Sequence, residues 1–286
     1  MIRGYFQNKL FPQKVSFLNS EKYKSSQMDL NYSLLRAVEQ SNYDLILNLL
    51  RQGADINLKF KYENTSYFTL LSKALNIGDL SLIQILLDNN IDIDEPYGKQ
   101  NNTALIQAVF NNNYELAKIL LAYGANPNFS NSIGGSALTC AAGKNLKMLE
   151  LLIEYKGDVN VSNIDVIYDT PLTFAIKQLN DQDALSIVKK LIEHGADIEG
   201  VNKSGQTALM TAIDYENIPV IIELIKCGAF VSEYKSVEDK INKIIDDEVT
   251  KLKVSEDFDL LMREIELYVF NKDDVETSGY LEEIDE

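Results

Sequence analysis

Apolar residues recur along this chain in short amphipathic runs, and each run ends in a similar five-residue phrase. The runs close with LNLL, QILL, KILL, ELLI, KKLI and IELI, whose apolar residues fall at the spacing of one helix face. The phrases are GADIN, NIDID, GANPN, KGDVN, GADIE and GAFVS, and they begin at residues 53, 90, 124, 156, 195 and 228. Their separation of roughly 33 residues is typical of a helical repeat array.

A second motif precedes each amphipathic run. It reads YSLLRA, TLLSKA, TALIQA, SALTCA, TPLTFA and TALMTA. These segments are similar to the T-P-L-H-x-A motif of the ankyrin repeat, most closely at Thr170-Pro171-Leu172. The chain therefore resembles the ankyrin-repeat family over about residues 29–232. The resemblance implies an all-α ankyrin solenoid of helix-turn-helix units with β-hairpin-like finger loops.

The recurring residue types have physical reasons. A Thr or Ser that opens a motif can cap the first helix of the repeat, and the Leu and Ala that follow share one helix face and enter the core. Gly53, Gly124, Gly195 and Gly228 are expected to end the second helices in the left-handed conformation, with Asn90 in the same slot. Each repeat then buries its apolar face against its neighbours.

The repeats are predicted to divide the chain into four regions. Residues 1–28 form an N-terminal cap or a flexible basic arm, and residues 29–232 form the six repeats. Residues 233–270 form a degenerate repeat or helical cap, and residues 271–286 form an acidic tail. The individual repeats are expected at about 29–61, 66–98, 100–132, 133–164, 167–202 and 204–232.

Two departures from the repeat length change this picture locally. The first finger, with Lys59, Lys61 and Tyr67, is longer than the later fingers, and the fifth repeat carries a surplus around 179–183, between its paired helices. Such changes are expected in solvated loops, where insertions are tolerated.

The net charge is −16, and residues 232–286 contribute strongly to it. An acidic body repels phosphate backbones, so we expect no nucleic-acid binding. The negative charge either provides solubility or suits a protein partner with a basic surface. The two cysteines lack a CxxC spacing, which indicates a reducing compartment. Neither a signal peptide nor a membrane span is predicted, so the expected location is cytoplasmic. The chain is expected to be monomeric.

Catalytic and metal-binding chemistry finds little support in the sequence. His194 is the only histidine, and its place before Gly195 at the end of a second helix favours a capping role. The cysteines Cys140 and Cys227 lie in other repeats, and no Cys/His or EF-hand spacing occurs. We therefore predict no catalytic residues, no metal and no cofactor.

Partner binding is implied by the ankyrin resemblance, through finger tips and the concave face of the first helices. Carried onto the variable positions of each motif, it selects ten residues. The aromatic residues among them are either exposed hot spots or partly buried against neighbouring repeats. The ten residues are Tyr67, Lys73, Gln107, Phe110, Asn111, Tyr168, Phe174, Gln178, Asp214 and Tyr215.

Three functions fit this sequence. The first is a protein-protein interaction scaffold, adaptor or inhibitor. The second is a secreted bacterial ankyrin effector that acts in the host cytosol, which the Asn-rich composition favours. The third is a sensor that holds a small ligand or nucleotide in the ankyrin groove.

Overall fold

The structure is a computed structural model that describes residues 15–17, 25–62, 66–161 and 169–230. Within these ranges the chain is mostly helical and repeats a pair of helices six times, which confirms the predicted all-α repeat fold. The first helices are α1 (Ser25–Glu39), α3 (Leu70–Ile77), α5 (Ala104–Phe110), α7 (Ala137–Ala142), α9 (Pro171–Gln178) and α11 (Ala208–Asp214). The second helices are α2 (Tyr43–Arg51), α4 (Leu80–Asp88), α6 (Tyr114–Ala122), α8 (Leu146–Glu154), α10 (Asp181–Glu193) and α12 (Ile218–Lys226).

The chain divides into two compact units. Unit 1 comprises residues 1–141 and 147–167, and unit 2 comprises residues 142–146 and 168–286. Unit 1 therefore holds the first three repeats and most of the fourth, whereas unit 2 holds the fifth and sixth.

Side-chain caps begin the first helices as the motif predicts. The hydroxyls of Thr69, Thr103, Thr170 and Thr207 each accept a hydrogen bond from the backbone N–H three residues later, and Ser136 does the same. Each cap satisfies an N–H that the helix itself leaves without a partner, and contributes about 1 kcal/mol.

The predicted core positions are confirmed. All the motif Leu and Ala side chains are at most 2% exposed. They are Leu35, Leu71, Leu105, Leu138, Leu172 and Leu209, with Ala37, Ala74, Ala108, Ala141, Ala175 and Ala212. The small Ala side chains leave room for the next helix, so the paired helices pack closely.

The five-residue phrases form what we call the repeat-end turns. Gly53, Gly124, Gly195 and Gly228 have positive φ, as predicted, and Asn90 takes the same conformation with φ 59°. In unit 1 the last side chain of one turn accepts from the third backbone N–H of the next turn. Asn57 Oδ1 is 2.7 Å from Asp92 N, Asp94 Oδ1 is 2.9 Å from Asn126 N, and Asn128 Oδ1 is 2.7 Å from Asp158 N. These bonds link consecutive repeats.

The longer first finger forms a small antiparallel sheet rather than a loop. Strands β2 (Phe60–Tyr62) and β3 (Tyr67–Phe68) pair with each other, and β1 (Val15–Phe17) pairs with the other edge of β2. Phe60 is fully buried, and its ring stacks on Phe68 with centroids 5.4 Å apart. The added residues therefore build structure, because they allow aromatic side chains to pack across the strands.

The additional residues of the fifth repeat were expected in a loop, and the structure corrects this. The extra residues lie in α10, which has 13 residues where the second helices of the neighbouring repeats have nine. Asn180 caps α10 by accepting from Asp183 N, and Asp181 and Asp183 occupy its first turn. A capping Asn followed by carboxylates favours a helix start at this point, so the insertion extends the helix.

Several predicted regions lie outside the described residues. These are most of the N-terminal region 1–28, the degenerate repeat or cap at 233–270 and the acidic tail at 271–286. At the edge of the described part, α12 buries Val220, Ile221, Leu224 and Ile225.

Candidate partner-binding surface

The hairpin of the first finger positions two of the candidate residues in unit 1. Tyr67 lies in β3, is 37% exposed, and has the ammonium of Lys61 5.0 Å from its ring centroid. Lys73, in α3, places its Nζ 3.0 Å from Glu39 Oε1 of α1 and 5.2 Å from the ring centroid of Phe68. Each of these lysines therefore lies over the ring of a different residue of β3.

The end of α5 holds three more candidates of unit 1. Gln107 Nε2 donates to Asn111 Oδ1 at 3.2 Å, and Phe110 lies between these residues in the chain with 59% of its surface exposed. Gln107 occupies the position in α5 that Lys73 occupies in α3, four residues after the buried motif Thr. A surface of this kind offers amide hydrogen bonds beside a large ring.

In unit 2, Phe174 is partly buried, which is one of the two alternatives that the sequence left open. A Cβ atom at Gly143 would lie 2.4 Å from Phe174 Cε1, so the ring packs against the glycine backbone and is only partly exposed. The same Cβ would lie 3.3 Å from Cγ of Gln178, an exposed residue at the end of α9. Phe174 and Gln178 are therefore brought together over Gly143.

Asp214 and Tyr215 form the end of α11 in the same unit. Asp214 Oδ2 accepts from Gln206 Nε2 at 2.6 Å, which ties the helix end to the preceding finger. Tyr215 is 54% exposed. The remaining candidate, Tyr168, lies outside the described residues.

Equivalent motif positions are not equally exposed. Thr211 occupies the slot of α11 that Phe174 occupies in α9, yet it is fully buried and its hydroxyl donates to the Thr207 carbonyl. The motif position alone therefore does not establish that a side chain faces solvent.

Sequence reasoning missed several exposed apolar residues at the start of the second helices in unit 1. Tyr43 and Leu80 are the first residues of α2 and α4, and they are 37% and 47% exposed. Helical periodicity did not reveal the exposure of Leu80, because Leu80 lies three residues before Ile83 and seven before Leu87 of the buried set of α4. That set consists of Leu82, Ile83, Leu86 and Leu87.

The hydroxyl of Tyr43 donates to Asp79 Oδ2 at 2.6 Å, which joins the first two repeats of unit 1. The bond favours the carboxylate, so it lowers the pKa of Asp79, and two backbone N–H groups at the start of α4 act in the same direction. The same bond raises the pKa of Tyr43.

The predicted capping role of His194 is confirmed. It is the residue that ends α10, and its Nδ1 lies 2.8 Å from the Lys190 carbonyl, to which it donates. Burial raises the pKa of Cys227, with Glu223 acting in the same direction, and a protonated thiol is a weak nucleophile. Across the described ranges no group of three or more His, Cys, Asp or Glu residues could hold a metal ion.

The helices in the part of the chain that the structure describes are all too short or too polar to cross a membrane.

A model of the family described as "Ankyrin repeats (3 copies)" matches residues 34–131, 106–199 and 137–235. These overlapping matches cover well over half of the chain. The chain belongs to the ankyrin-repeat family. An ankyrin-repeat domain from Acinetobacter baumannii supports the same fold, with a TM-score of 0.60, 24% identity, and coverage of 70% of this chain and 99% of that chain.

Curated relatives of this ankyrin-repeat chain come from a virus, a mammal and a bacterium. A putative ankyrin repeat protein of Fowlpox virus is 32% identical, with 58% of this chain and 48% of that protein covered. A mouse B-cell lymphoma 3 protein homolog is 31% identical (49% and 31% covered), and a Legionella pneumophila phosphocholine transferase is 27% identical (54% and 16% covered). The chain thus spans less than half the length of each.

Proposed function

We propose that this ankyrin-repeat protein binds a partner protein through the first helices and fingers of its repeats, as a non-catalytic adaptor or inhibitor. Ankyrin repeats mediate binding to other proteins, and the fold is typically a non-enzymatic interaction scaffold. One observation supports the proposal most directly. Unit 1 holds a fixed buried framework of Leu and Ala, while Lys73 and Gln107 place different chemistry at equivalent surface positions.

The chemistry of this surface suits protein recognition. Tyr67 and Phe110 offer exposed rings, Lys73 offers a charge held beside Phe68, and Gln107 with Asn111 offers amides. Aromatic and basic side chains on a rigid support carry much of the binding energy in protein interfaces. The helices supply that support, so little conformational entropy is lost when a partner docks.

Affinity capture with matched variants tests the proposal. The immobilised wild-type chain is compared with a Tyr67→Ala/Lys73→Ala/Gln107→Ala variant and with a control that carries Lys118→Ala/Glu150→Ala/Glu154→Ala on the second helices. Proteins recovered by wild type and control but depleted at least tenfold by the first variant are the expected result. Equal recovery by all three chains would contradict the proposed surface.

A second candidate function, a secreted bacterial effector that acts on a host protein, is favoured by the match to a Legionella pneumophila protein. The matched part is 16% of that relative, so its transferase activity is not carried over. A translocation reporter fused to the chain, with and without residues 271–286, tests this candidate. Export that requires these residues would support it, and failure of the full chain to be exported would eliminate it.

A further inference from the structure

Unit 1 exposes apolar side chains at a place that the ankyrin motif does not single out. Of its seven exposed large apolar residues within the described ranges, five lie where a first helix ends or a second helix begins. They are Tyr43 (37%), Leu45 (36%), Ile77 (43%), Leu80 (47%) and Phe110 (59%), and we call them the turn edge.

The turn edge extends over three consecutive repeats. Ile77 and Phe110 are the last residues of α3 and α5, and Tyr43 and Leu80 are the first residues of α2 and α4. The hydrogen bond from the Tyr43 hydroxyl to Asp79 directly joins the helix starts of the first and second repeats. On the far side, Lys147 at the start of α8 lies 4.0 Å from the ring centroid of Tyr114, the first residue of α6. Successive helix starts are therefore neighbours.

Carboxylates flank these apolar side chains. Asp44 and Glu115 are exposed and occupy the second position of α2 and α6, while Asp79 caps α4 with its pKa lowered chiefly by the Tyr43 hydroxyl. The first-helix ends add Glu39, which is paired with Lys73. Lys147 is the single cation at the corresponding helix starts of unit 1. The local charge is therefore negative.

An exposed apolar row costs free energy in water, and a row flanked by carboxylates is complementary to cations. We propose that the turn edge binds a basic peptide segment of a partner protein, with the segment's apolar side chains on Ile77, Leu80 and Phe110 and its lysines or arginines beside Asp44 and Glu115. The inference rests on the proposed protein-binding function, shares Phe110 with it, and adds the chemistry of the partner and the exposed side chains of Tyr43, Leu45, Ile77 and Leu80.

Fluorescence anisotropy with two synthetic peptides tests the proposal. The probe is a labelled 16-residue peptide of Lys and Leu at amphipathic helical spacing, and its counterpart has Glu in place of Lys. We expect the Lys peptide to bind the full chain and the Glu peptide to bind at least tenfold more weakly. Equal binding of the two peptides would overturn the assigned partner chemistry.

Matched variants decide whether the peptide uses the turn edge. Ile77→Ser/Leu80→Ser is compared with Tyr123→Ser/Phe230→Ser, which removes two exposed apolar residues elsewhere in the chain (41% and 54%). The turn-edge pair should weaken binding at least tenfold, and the control pair by less than twofold. Asp44→Lys/Glu115→Lys should likewise weaken binding more than Glu150→Lys/Glu154→Lys, which changes the net charge equally. Equal effects within either comparison would overturn the site.

A photo-crosslinking copy of the Lys peptide provides a readout that is independent of variant folding. Crosslinks to wild-type protein within residues 38–45, 76–81 and 109–116 are expected, and crosslinks confined to other segments would overturn the site. Failure here is distinguishable from failure of the proposed function. If Tyr67→Ala/Lys73→Ala/Gln107→Ala still abolishes partner capture while the turn-edge variants capture normally, the function stands and the basic-segment site falls.

Discussion

Each repeat contains two turns, and they use similar residues for different purposes. The repeat-end turns follow the second helices, whereas the helix turns, such as 40–42 and 111–113, join the two helices of one repeat. In the repeat-end turns of unit 1, Asn57, Asp94 and Asn128 accept hydrogen bonds from the next repeat.

Side chains in the helix turns mostly serve their own helix. Asn42 and Asn113 accept from Leu45 N and Leu116 N, three residues later in the same chain segment. A residue that links two repeats must keep its chemistry for the stack to hold, whereas the residues around a locally capped turn can vary. This difference explains why Ile77 and Phe110 can be apolar and exposed beside the helix turns.

Removing a link between repeats should give the largest effect. Asn128→Ala removes the acceptor of Asp158 N and the donor to the Lys156 carbonyl, which is 3.1 Å away. We expect the free energy of unfolding in urea to fall by about 1–2 kcal/mol, because two hydrogen bonds that join consecutive repeats are lost together. The Asp158 amide should also lose protection from hydrogen exchange.

Asn111→Ala is the matched control in a helix turn. Its side chain accepts only an exposed hydrogen bond from Gln107 among the bonds described for it, so the expected loss is below about 0.5 kcal/mol. Equal losses for the two variants would show that the helix turns also hold the repeats together.

The sequence predicted the framework well because each signal is local. Thr170-Pro171-Leu172 contains a cap, a first-turn proline and a core residue within three positions, and all three roles appear in the structure. The bond between Tyr43 and Asp79 could not be predicted, since 36 residues separate them. Exposure of the candidate site was equally inaccessible. It depends on neighbours such as Gly143 beneath Phe174, which the motif does not encode.

Left-handed residues offer a second way to compare the turns. Lys156 in a repeat-end turn and Glu216 in a helix turn have φ values of 66° and 54°. A non-glycine residue in this conformation is strained by about 1–2 kcal/mol. Glycine relieves the strain, but its greater conformational entropy in the unfolded chain offsets part of the stabilisation. Lys156→Gly and Glu216→Gly should each raise the free energy of unfolding by roughly 0.5–1 kcal/mol.

Asn90→Gly is the internal reference. Asn tolerates the left-handed region, so this substitution should raise the free energy of unfolding less than the other two. Urea denaturation of the three variants measures the order of their free energies of unfolding. If the free energy of unfolding rises for Lys156→Gly but falls for Glu216→Gly, the helix turn needs the Glu216 side chain. The two left-handed residues would then not be equivalent.

The smallest effect should come from two carboxylates whose pKa values shift in opposite directions. Burial raises the pKa of Asp94 in its repeat-end turn, and Asp92 acts in the same direction, while the Asn126 N–H opposes both. In its helix turn, Asp79 has a lowered pKa, chiefly because of the Tyr43 hydroxyl. A raised folded-state pKa means that the contribution of Asp94 is most favourable below about pH 4 and is lost as the pH rises. For Asp79 the contribution is present above about pH 4 and is lost in acid.

Asp94→Asn should therefore stabilise the chain at pH 7, by about 0.5 kcal/mol or less because the turn is partly open to water. Asn57 and Asn128 already make the equivalent hydrogen bond with an amide oxygen, so the link itself should survive. Asp79→Asn should destabilise the chain at pH 7. Urea midpoints measured at pH 7 and again at pH 3.5 should show both differences shrinking in acid, where the native carboxylates become protonated. A pH-independent gain for Asp94→Asn would mean that packing, rather than the buried charge, distinguishes the repeat-end turn.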